Sequence, residues 1–409
     1  MTDFVGELGT PPVRRSDQGI NPLARRDEAP AGLPRANASA GIEQPRRGFV
    51  PPSQIAPTPA GERSETLRPC PVPSPEPRRL EFANKVMTGR EQQANDRQPN
   101  DRSPRSLEED AMLDPVGVIV PMITPLTAAG AIDAQAIDHL VDYLLSGGVS
   151  GIFVLGSSGE GPWLRATERA QVVEHARTAA NGRAPILAGA LQPGSRATLD
   201  DVRLLAGAGA EALVITAPYY FAADAATQIR HVEAVAAASP VPVVLYNIPE
   251  MTQSPLAATT VGRLAGCANV VAIKDSAGDW PAFAELLALR AARPGFRVLQ
   301  GAERLSAQAA LAGADGLVPG LANLTPQLFT RLFAAAQRGD RTSALAAQAQ
   351  VDVLWQLHTH GFWLACLKEA AAQLGFGSGA TVGHGGRLPA AARAAIAQLL
   401  LPYGAEVRA

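Results

Sequence analysis

Lys274 ends a short apolar run in the segment NVVAIKDSAGDW, residues 269–280. The chain has lysine only at Lys85, Lys274 and Lys368, and arginine supplies its other permanently basic side chains. Arginine stays protonated, whereas a desolvated lysine loses affinity for its proton and becomes a nucleophilic amine. Such an amine can form a Schiff base with a carbonyl compound. A lysine that extends from a strand end to solvent is the alternative, and this segment alone leaves both interpretations open.

Other polar side chains follow comparable apolar runs. Ser157 and Ser158 lie in the segment GSSGE, Tyr220 in TAPYY and Tyr246 in YNIP. If these runs are strands of a parallel barrel, their carboxyl ends meet on one face. That arrangement would bring the Lys274 amine, two phenols and a pair of serine hydroxyls into one site.

The elements that must position these residues alternate regularly after residue 113. Short β-branched runs and Ala/Leu-rich amphipathic stretches form eight strand–helix units over residues 116–337. This pattern predicts an α/β fold, a (β/α)8 TIM barrel over residues 113–338, with its first strand at 116–123. Thr167 is the expected N-cap of the second helix. A doubly wound open sheet is the alternative fold.

Both ends of the chain differ from the barrel. Three helical stretches, residues 343–358, 363–374 and 390–400, predict a C-terminal helical bundle over residues 339–409 that covers the core or packs between subunits.

Of 34 prolines, 17 fall between Pro11 and Pro104, and apolar residues are sparse there. Residues 1–112 are therefore expected to be a disordered extension. Its two interpretations are a partner-docking tail and an over-long translation start, with Met112 as the initiator.

The composition and cysteine spacing argue against nucleic-acid binding and membrane association. A net charge of -2 and a pI near 6.3 give no reason to expect nucleic acid or an anionic membrane as a partner. No apolar run reaches the roughly 18 residues of a membrane helix, and the three cysteines are widely spaced, which favours a soluble, cytoplasmic protein. His358 and His360 lie two residues apart on a predicted helix, which is poor geometry for a metal. We expect no metal site.

The segments GSSGE, TAPYY, YNIP and AIKDSAGD, in this order and spacing, resemble the dihydrodipicolinate synthase / N-acetylneuraminate lyase family of class I pyruvate-dependent aldolases. The likeness extends over residues 116–401. It implies a TIM-barrel lyase in which Lys274 forms an imine with pyruvate or another small 2-oxo acid. A lysine-imine mechanism requires no cofactor.

The resemblance also implies roles for the hydroxyl groups. Tyr246 would transfer protons, and Ser157 would link it to Tyr220, which enters from a neighbouring subunit in many members. Ser157 and Ser158 would bind the substrate carboxylate. The assembly implied is a homotetramer built as a dimer of dimers. Glu160 and Asp275 are interpreted as structural.

Several positions bear on the substrate. Ser276 follows Lys274 at the strand end, and Gly301 and Val318 are candidate pocket walls. Met251 stands where lysine-biosynthetic synthases usually carry the arginine that binds the carboxylate of aspartate semialdehyde. Arg304 is the nearby residue that could restore this charge.

The substrate indicated by these departures is a hydroxylated 2-oxo acid. Neuraminate lyases typically show an acidic pair and a hydroxyl where this chain has Glu303-Arg304 and Gly320. The segments KDSAGD and GADGLVPGLANL look similar to those of 4-hydroxy-2-oxoglutarate aldolases and sugar-acid dehydratases. One alternative is a 4-hydroxy-tetrahydrodipicolinate synthase that condenses pyruvate with aspartate semialdehyde. Another is a non-catalytic regulatory homologue that binds a 2-oxo acid.

Overall fold

Eight short strands form the centre of the protein in a computed structural model, which describes residues 113–383 and 386–403. The expected disordered extension, residues 1–112, lies outside the described residues. The strands are β1 (Gly117–Pro121), β2 (Gly151–Val154), β3 (Ile186–Gly189), β4 (Ala212–Thr216), β5 (Val243–Asn247), β6 (Val270–Asp275), β7 (Arg297–Gln300) and β8 (Gly316–Leu317).

The strands pair in chain order and in parallel, and β8 pairs with β1, so the sheet is a closed barrel. The predicted TIM barrel is therefore confirmed, and the open-sheet alternative is wrong. The first strand is shorter than the predicted 116–123. The register places Tyr246 of β5 beside Lys274 of β6, and Lys274 beside Leu299 of β7.

Helices cover the outside of the barrel because each strand is buried on both faces and needs an apolar layer against it. Between and after the strands lie α1 (Ala134–Ser146), α2 (Ala166–Ala180), α3 (Ser195–Gly207), α4 (Ala225–Ala238), α5 (Pro249–Thr252), α6 (Ala258–Leu264), α7 (Trp280–Ala288), α8 (Ser306–Leu311) and α9 (Pro326–Gln337). Short 3-10 turns, among them Glu303–Leu305 and Gly320–Asn323, follow β7 and β8.

Aspartate side chains cap several of these helices. Asp133 accepts a hydrogen bond from the Ala136 amide at 3.1 Å, and Asp279 accepts one from Ala282 at the same distance. The predicted Thr167 cap is wrong, because α2 already begins at Ala166. The Glu168 carboxylate instead accepts a hydrogen bond from the Arg165 amide at 2.8 Å and satisfies this helix end.

Two apolar layers hold the barrel together. The outer layer lies between strands and helices, and the inner layer fills the barrel with side chains such as Ile119, Phe153, Leu187, Val214, Val244 and Leu299. The interior below the strand ends is therefore a packed core, and a substrate can enter only at the mouth of the barrel.

The predicted C-terminal helices are present as α10 (Arg341–Trp355), α11 (Trp363–Gln373) and α12 (Ala390–Leu400). The 3-10 turn Gln356–His360 replaces the predicted end of the first of them. Helix α10 packs against α8 and α9, and α11 packs against the turn after β8. Within the described ranges, no helix combines the length and hydropathy needed to cross a membrane.

Candidate active site

A cavity of about 670 Å³ opens at the carboxyl end of the barrel strands. Every site residue predicted from the sequence lines it except Tyr220. The lining residues among the predicted set are Ser157, Ser158, Tyr246, Met251, Lys274, Ser276, Gly301, Arg304 and Val318. Strand ends that lie far apart in sequence thus meet on one face, as the barrel topology requires.

The Lys274 side chain lies in the floor of this cavity and is 5% exposed. Its Nζ atom is 4.0 Å from the ring centroid of Tyr246 and 5.0 Å from that of Phe153. No carboxylate of the described residues lies within 4 Å of this nitrogen. The amine is therefore held against aromatic faces rather than in an ion pair, and it faces the space where a carbonyl compound could bind.

Gly301 lets the β7 loop approach Lys274 closely. A Cβ atom at this position would lie 2.1 Å from Ser276 Oγ and 2.9 Å from Lys274 Cε. Both separations are far below ordinary van der Waals contact, so a side chain here would displace the lysine or the serine beside it. Only glycine leaves both side chains in place.

The GSSGE turn is fixed from two sides. The Thr124 hydroxyl donates to the Gly159 carbonyl at 2.6 Å. Glu160, in the left-handed backbone region at a φ of 56°, is buried, and its Oε1 lies 2.5 Å from Lys368 Nζ. Its other carboxylate oxygen accepts a hydrogen bond from the Val382 amide at 2.6 Å. These contacts hold Ser157 and Ser158 at the cavity wall.

Asp275 lies at the end of β6 but is absent from the cavity lining. Its Oδ1 accepts a hydrogen bond from Asn247 Nδ2 at 2.6 Å, and Asn247 Oδ1 in turn accepts one from the Leu256 amide at 3.0 Å. Burial raises the pKa of Asp275. The carboxyl group ties the ends of β5 and β6 together, next to Tyr246 and Lys274.

Glu303 and His358 form a polar pair in the cavity that sequence reasoning did not include among the site residues. Glu303 Oε1 accepts a hydrogen bond from the Leu321 amide at 2.7 Å, and its Oε2 lies 3.8 Å from His358 Nε2. Burial raises the pKa of Glu303 to about 7, although hydrogen bonds from the Leu321 and Gly320 amides and the nearby Lys274 charge oppose the rise. Burial lowers the pKa of His358.

The C-terminal helices contribute directly to the cavity, a role not included in the sequence interpretation. Trp355, His358, Trp363 and Leu367 are among its lining residues. Glu303 follows a predicted strand end and could have been identified by that rule. The C-terminal residues carry no comparable local signal, because only the packing of α10 and α11 onto the barrel brings them to the mouth.

Met251 and Arg304 lie at the rim of the cavity. Met251 is 47% exposed and offers a thioether where the lysine-biosynthetic pattern has a guanidinium. The Arg304 guanidinium carbon lies 5.3 Å from the ring centroid of Trp355, over its face. The Arg304 charge is therefore held by stacking on α10.

Tyr220 is the one predicted site residue that the structure does not bring into the cavity. It is 83% exposed, has a φ of 78° and stacks edge-on against the exposed Phe221 ring. Neither ring is covered by other described residues to any large extent. Within one chain, Tyr220 is therefore outside the set of residues that line the cavity with Tyr246.

Comparison with known proteins identifies one family. Residues 114–392 match the model of the dihydrodipicolinate synthetase family. A 4-hydroxy-tetrahydrodipicolinate synthase of Xylella fastidiosa is 34% identical over 67% of this chain and 88% of its own length. An uncharacterized DapA-like lyase of Halobacterium salinarum is 32% identical over 64% of this chain and 86% of its own length.

Solved structures agree with this match. YagE, a prophage protein of the dihydrodipicolinic acid synthase family from Escherichia coli K12, solved in complex with pyruvate, is 30% identical with a TM-score of 0.68. The alignment covers 70% of this chain and 98% of that one. A dihydrodipicolinate synthase of Bacteroides thetaiotaomicron is 30% identical with a TM-score of 0.67, over 71% of this chain and 100% of its own.

Proposed function

The chain belongs to the dihydrodipicolinate synthetase family, and from this premise we propose that it is a lyase that forms a Schiff base between Lys274 and a 2-oxo acid. The observation that carries the proposal is the environment of the Lys274 amine. It is buried, packed on the Tyr246 and Phe153 rings, and no described carboxylate pairs with it. It also faces a cavity large enough for a small organic acid.

The reaction begins when the Lys274 amine attacks the ketone carbon of the 2-oxo acid. Tyr246, beside the amine, exchanges a proton with the carbinolamine oxygen, which leaves as water and gives the imine. The protonated imine withdraws electrons, so the neighbouring carbon can lose a proton or break a bond and become an enamine. Ser157 and Ser158 bind the substrate carboxylate through their hydroxyls and turn amides.

The substrate that this cavity favours is a hydroxylated 2-oxo acid, such as 4-hydroxy-2-oxoglutarate or a 2-oxo sugar acid. Met251 supplies no charge for a second carboxylate, which favours a monocarboxylic 2-oxo sugar acid, whereas the C5 carboxylate of 4-hydroxy-2-oxoglutarate would have to pair with Arg304. Polar groups such as Glu303 and His358 can bind hydroxyls. A second candidate is condensation of pyruvate with aspartate semialdehyde. The names of several relatives favour it, and Arg304 at the rim could hold the second carboxylate from another direction.

The exposed position of Tyr220 supports an oligomer, which we propose to be a homotetramer built as a dimer of dimers. An aromatic pair as exposed as Tyr220 and Phe221 can enter a neighbouring subunit and complete its relay. Tyr220→Phe should then lose turnover while it still forms the pyruvate imine. Full activity of a monomer in dilute solution would contradict this assembly.

A substrate screen tests the proposed activity. Hydroxylated 2-oxo acids are incubated with the full-length protein, and pyruvate release is followed, with Lys274→Ala as the inactive control. We expect release from at least one 4-hydroxy-2-oxo acid and poor condensation of pyruvate with aspartate semialdehyde. Binding of 2-oxo acids with no turnover in either direction would favour the regulatory homologue instead.

A further inference from the structure

The amino end of the barrel, opposite the mouth that holds Lys274, carries a groove of about 890 Å³. This amino-end groove lies among the loops that lead into β4, β5 and β6, residues 207–211, 239–242 and 269. The proposed reaction does not use this face, because a TIM barrel places its chemistry at the carboxyl ends of its strands. The apolar wall of the groove consists of Leu113, Ala208, Ala210, Pro240, Val241 and Pro242.

The first described residues lead the chain into this groove. Asp114 is held at the start of β7 by Arg297, whose Nε and Nη2 atoms lie 2.6 and 2.8 Å from the two carboxylate oxygens. Leu113 is itself part of the groove wall and packs against the inner core of the barrel. Since β6 and β5 follow β7 around the barrel, the chain traced backwards runs from β7 toward the loops that line the groove.

The groove carries one basic side chain, Arg177, and its guanidinium makes no hydrogen bond or ion pair with any described residue. A Cβ atom at Gly209, where φ is 101°, would overlap the Arg177 stem, so the glycine leaves room for this side chain. The other polar side chains of the lining are engaged. Asn269 Nδ2 donates to a carbonyl of α4 at 2.6 Å, Ser239 Oγ donates within its own loop at 2.6 Å, and Glu211 Oε2 accepts from the first amide of β3 at 2.9 Å.

The segment that precedes Leu113 has a composition that fits this groove. Residues 107–112, LEEDAM, lie outside the described residues and include the chain's one run of three consecutive acids, residues 108–110. Leu107, Ala111 and Met112 flank the acids and offer apolar contacts. Six residues reach about 20 Å at most, so this segment stays near the groove in any conformation. Its carboxylates are the complement of the unpaired Arg177 guanidinium.

We propose that residues 107–112 dock in the amino-end groove as an intramolecular clasp, with Met112 against the apolar wall and the acidic run facing Arg177. Because the segment is joined directly to Leu113, docking loses far less translational freedom than the binding of a separate molecule. Burial of Met112 supplies the main gain, since an ion pair to an exposed arginine contributes little. The clasp closes the amino end of the barrel and favours an authentic extension over a translation start at Met112.

Substitution of the apolar anchor tests the clasp in the full chain. Met112→Ser should lower the Tm by about 2–4 °C, the shift expected for a modest loss of stability in a protein of this size. The amides of residues 207–211 should exchange their hydrogens faster in this variant. Met87→Ser, at a methionine of the extension outside the docked segment, is the matched control and should change neither property. Removal of residues 1–106 should also leave both unchanged.

A double-mutant cycle tests the contact with Arg177. Arg177→Gln is made in the full chain and in a chain that begins at Met112, which lacks the acids. The loss of Tm should be larger in the full chain by about 1–2 °C, and this difference should fade at about 1 M salt, which screens surface charges. The cycle cancels any effect of the substitution on the end of α2. Equal losses in the two forms would contradict the contact between the acids and Arg177.

The remaining outcomes decide the proposal without reference to the lyase function. A Met112→Ser variant with the Tm and hydrogen exchange of the wild type overturns it, and so does an equal effect of Met87→Ser. A loss of Tm on removal of residues 1–106 would place the occupant earlier in the chain. Protection of residues 207–211 that depends on protein concentration would assign the groove to a second copy. Either result overturns the clasp, and labelling of Lys274 by pyruvate and borohydride should be the same in every form.

Discussion

Two buried lysines lie in two regions of the molecule and have opposite surroundings. Lys274, at the mouth of the barrel, is 5% exposed and packs on two aromatic rings, with no carboxylate of the described residues within 4 Å. Lys368, on α11, is 1% exposed, and its Nζ lies 2.5 Å from Glu160 Oε1. Both side chains are buried, but only Lys368 is paired with a carboxylate of the described residues.

The difference lies in what surrounds each amine. Burial alone lowers the pKa of Lys368, while the adjacent Glu160 carboxylate opposes the change and makes an ion pair with it. That pair fastens the GSSGE turn, and so the serines of the cavity, to the C-terminal helices. Lys274 has no such partner among the described residues, which leaves its amine available for the proposed reaction with a 2-oxo acid.

The largest expected effect is the loss of stability when the Lys368–Glu160 ion pair is broken. Lys368→Met leaves the Glu160 carboxylate buried without its partner, which typically costs about 3–5 kcal/mol of unfolding free energy. We expect a large drop in Tm, measured by calorimetry. The double variant Lys368→Met/Glu160→Gln is the matched control and should recover much of the loss. A single variant as stable as the wild type would show that the pair contributes nothing.

The next largest effect concerns the substrate selectivity of the cavity that contains Lys274. Met251→Arg places a guanidinium at the rim of the Lys274 cavity, where it can pair with a second carboxylate. A charged hydrogen bond of this kind contributes roughly 1.5–3 kcal/mol, or about one to two powers of ten in selectivity. The kcat/KM for aspartate semialdehyde should rise relative to that for a monocarboxylic 2-oxo sugar acid, which has no second carboxylate to pair with the new arginine.

Arg304→Ala is the control for this prediction. If the wild type already uses the semialdehyde efficiently and Arg304→Ala abolishes that activity, Arg304 rather than Met251 decides the specificity. Efficient use of the semialdehyde that survives Arg304→Ala would contradict the specificity argument altogether.

The smallest expected effect on stability tests the packing around Lys274. Gly301→Ala would place a methyl group 2.1 Å from Ser276 Oγ and 2.9 Å from Lys274 Cε. Overpacking of this kind costs about 1–3 kcal/mol. Because the methyl group displaces Lys274, imine formation with pyruvate should slow by more than the loss of stability, measured as the change in Tm, can explain. Unchanged rates would mean that the loop moves away without disturbing the amine.

Local patterns were enough to predict much of the fold and site. A buried β-branched run followed by Lys274 identifies strand β6 and places a lysine at its end, and Tyr246 follows the neighbouring strand in the same way. The barrel rule then places both at one mouth. The Lys368–Glu160 pair joins residues 208 positions apart, and His358 reaches the cavity only through the packing of the C-terminal helices. No local pattern encodes such contacts.

Chemical trapping tests the central claim most directly. The full-length protein is incubated with pyruvate and borohydride, and digestion with mass spectrometry locates the reduced adduct, with Lys274→Ala and the double variant Lys368→Met/Glu160→Gln as controls. The environments of the two buried lysines predict one modified peptide, the one that contains Lys274, in the wild type and in the double variant but not in Lys274→Ala. An adduct at Lys368, or none at either lysine, would contradict the account.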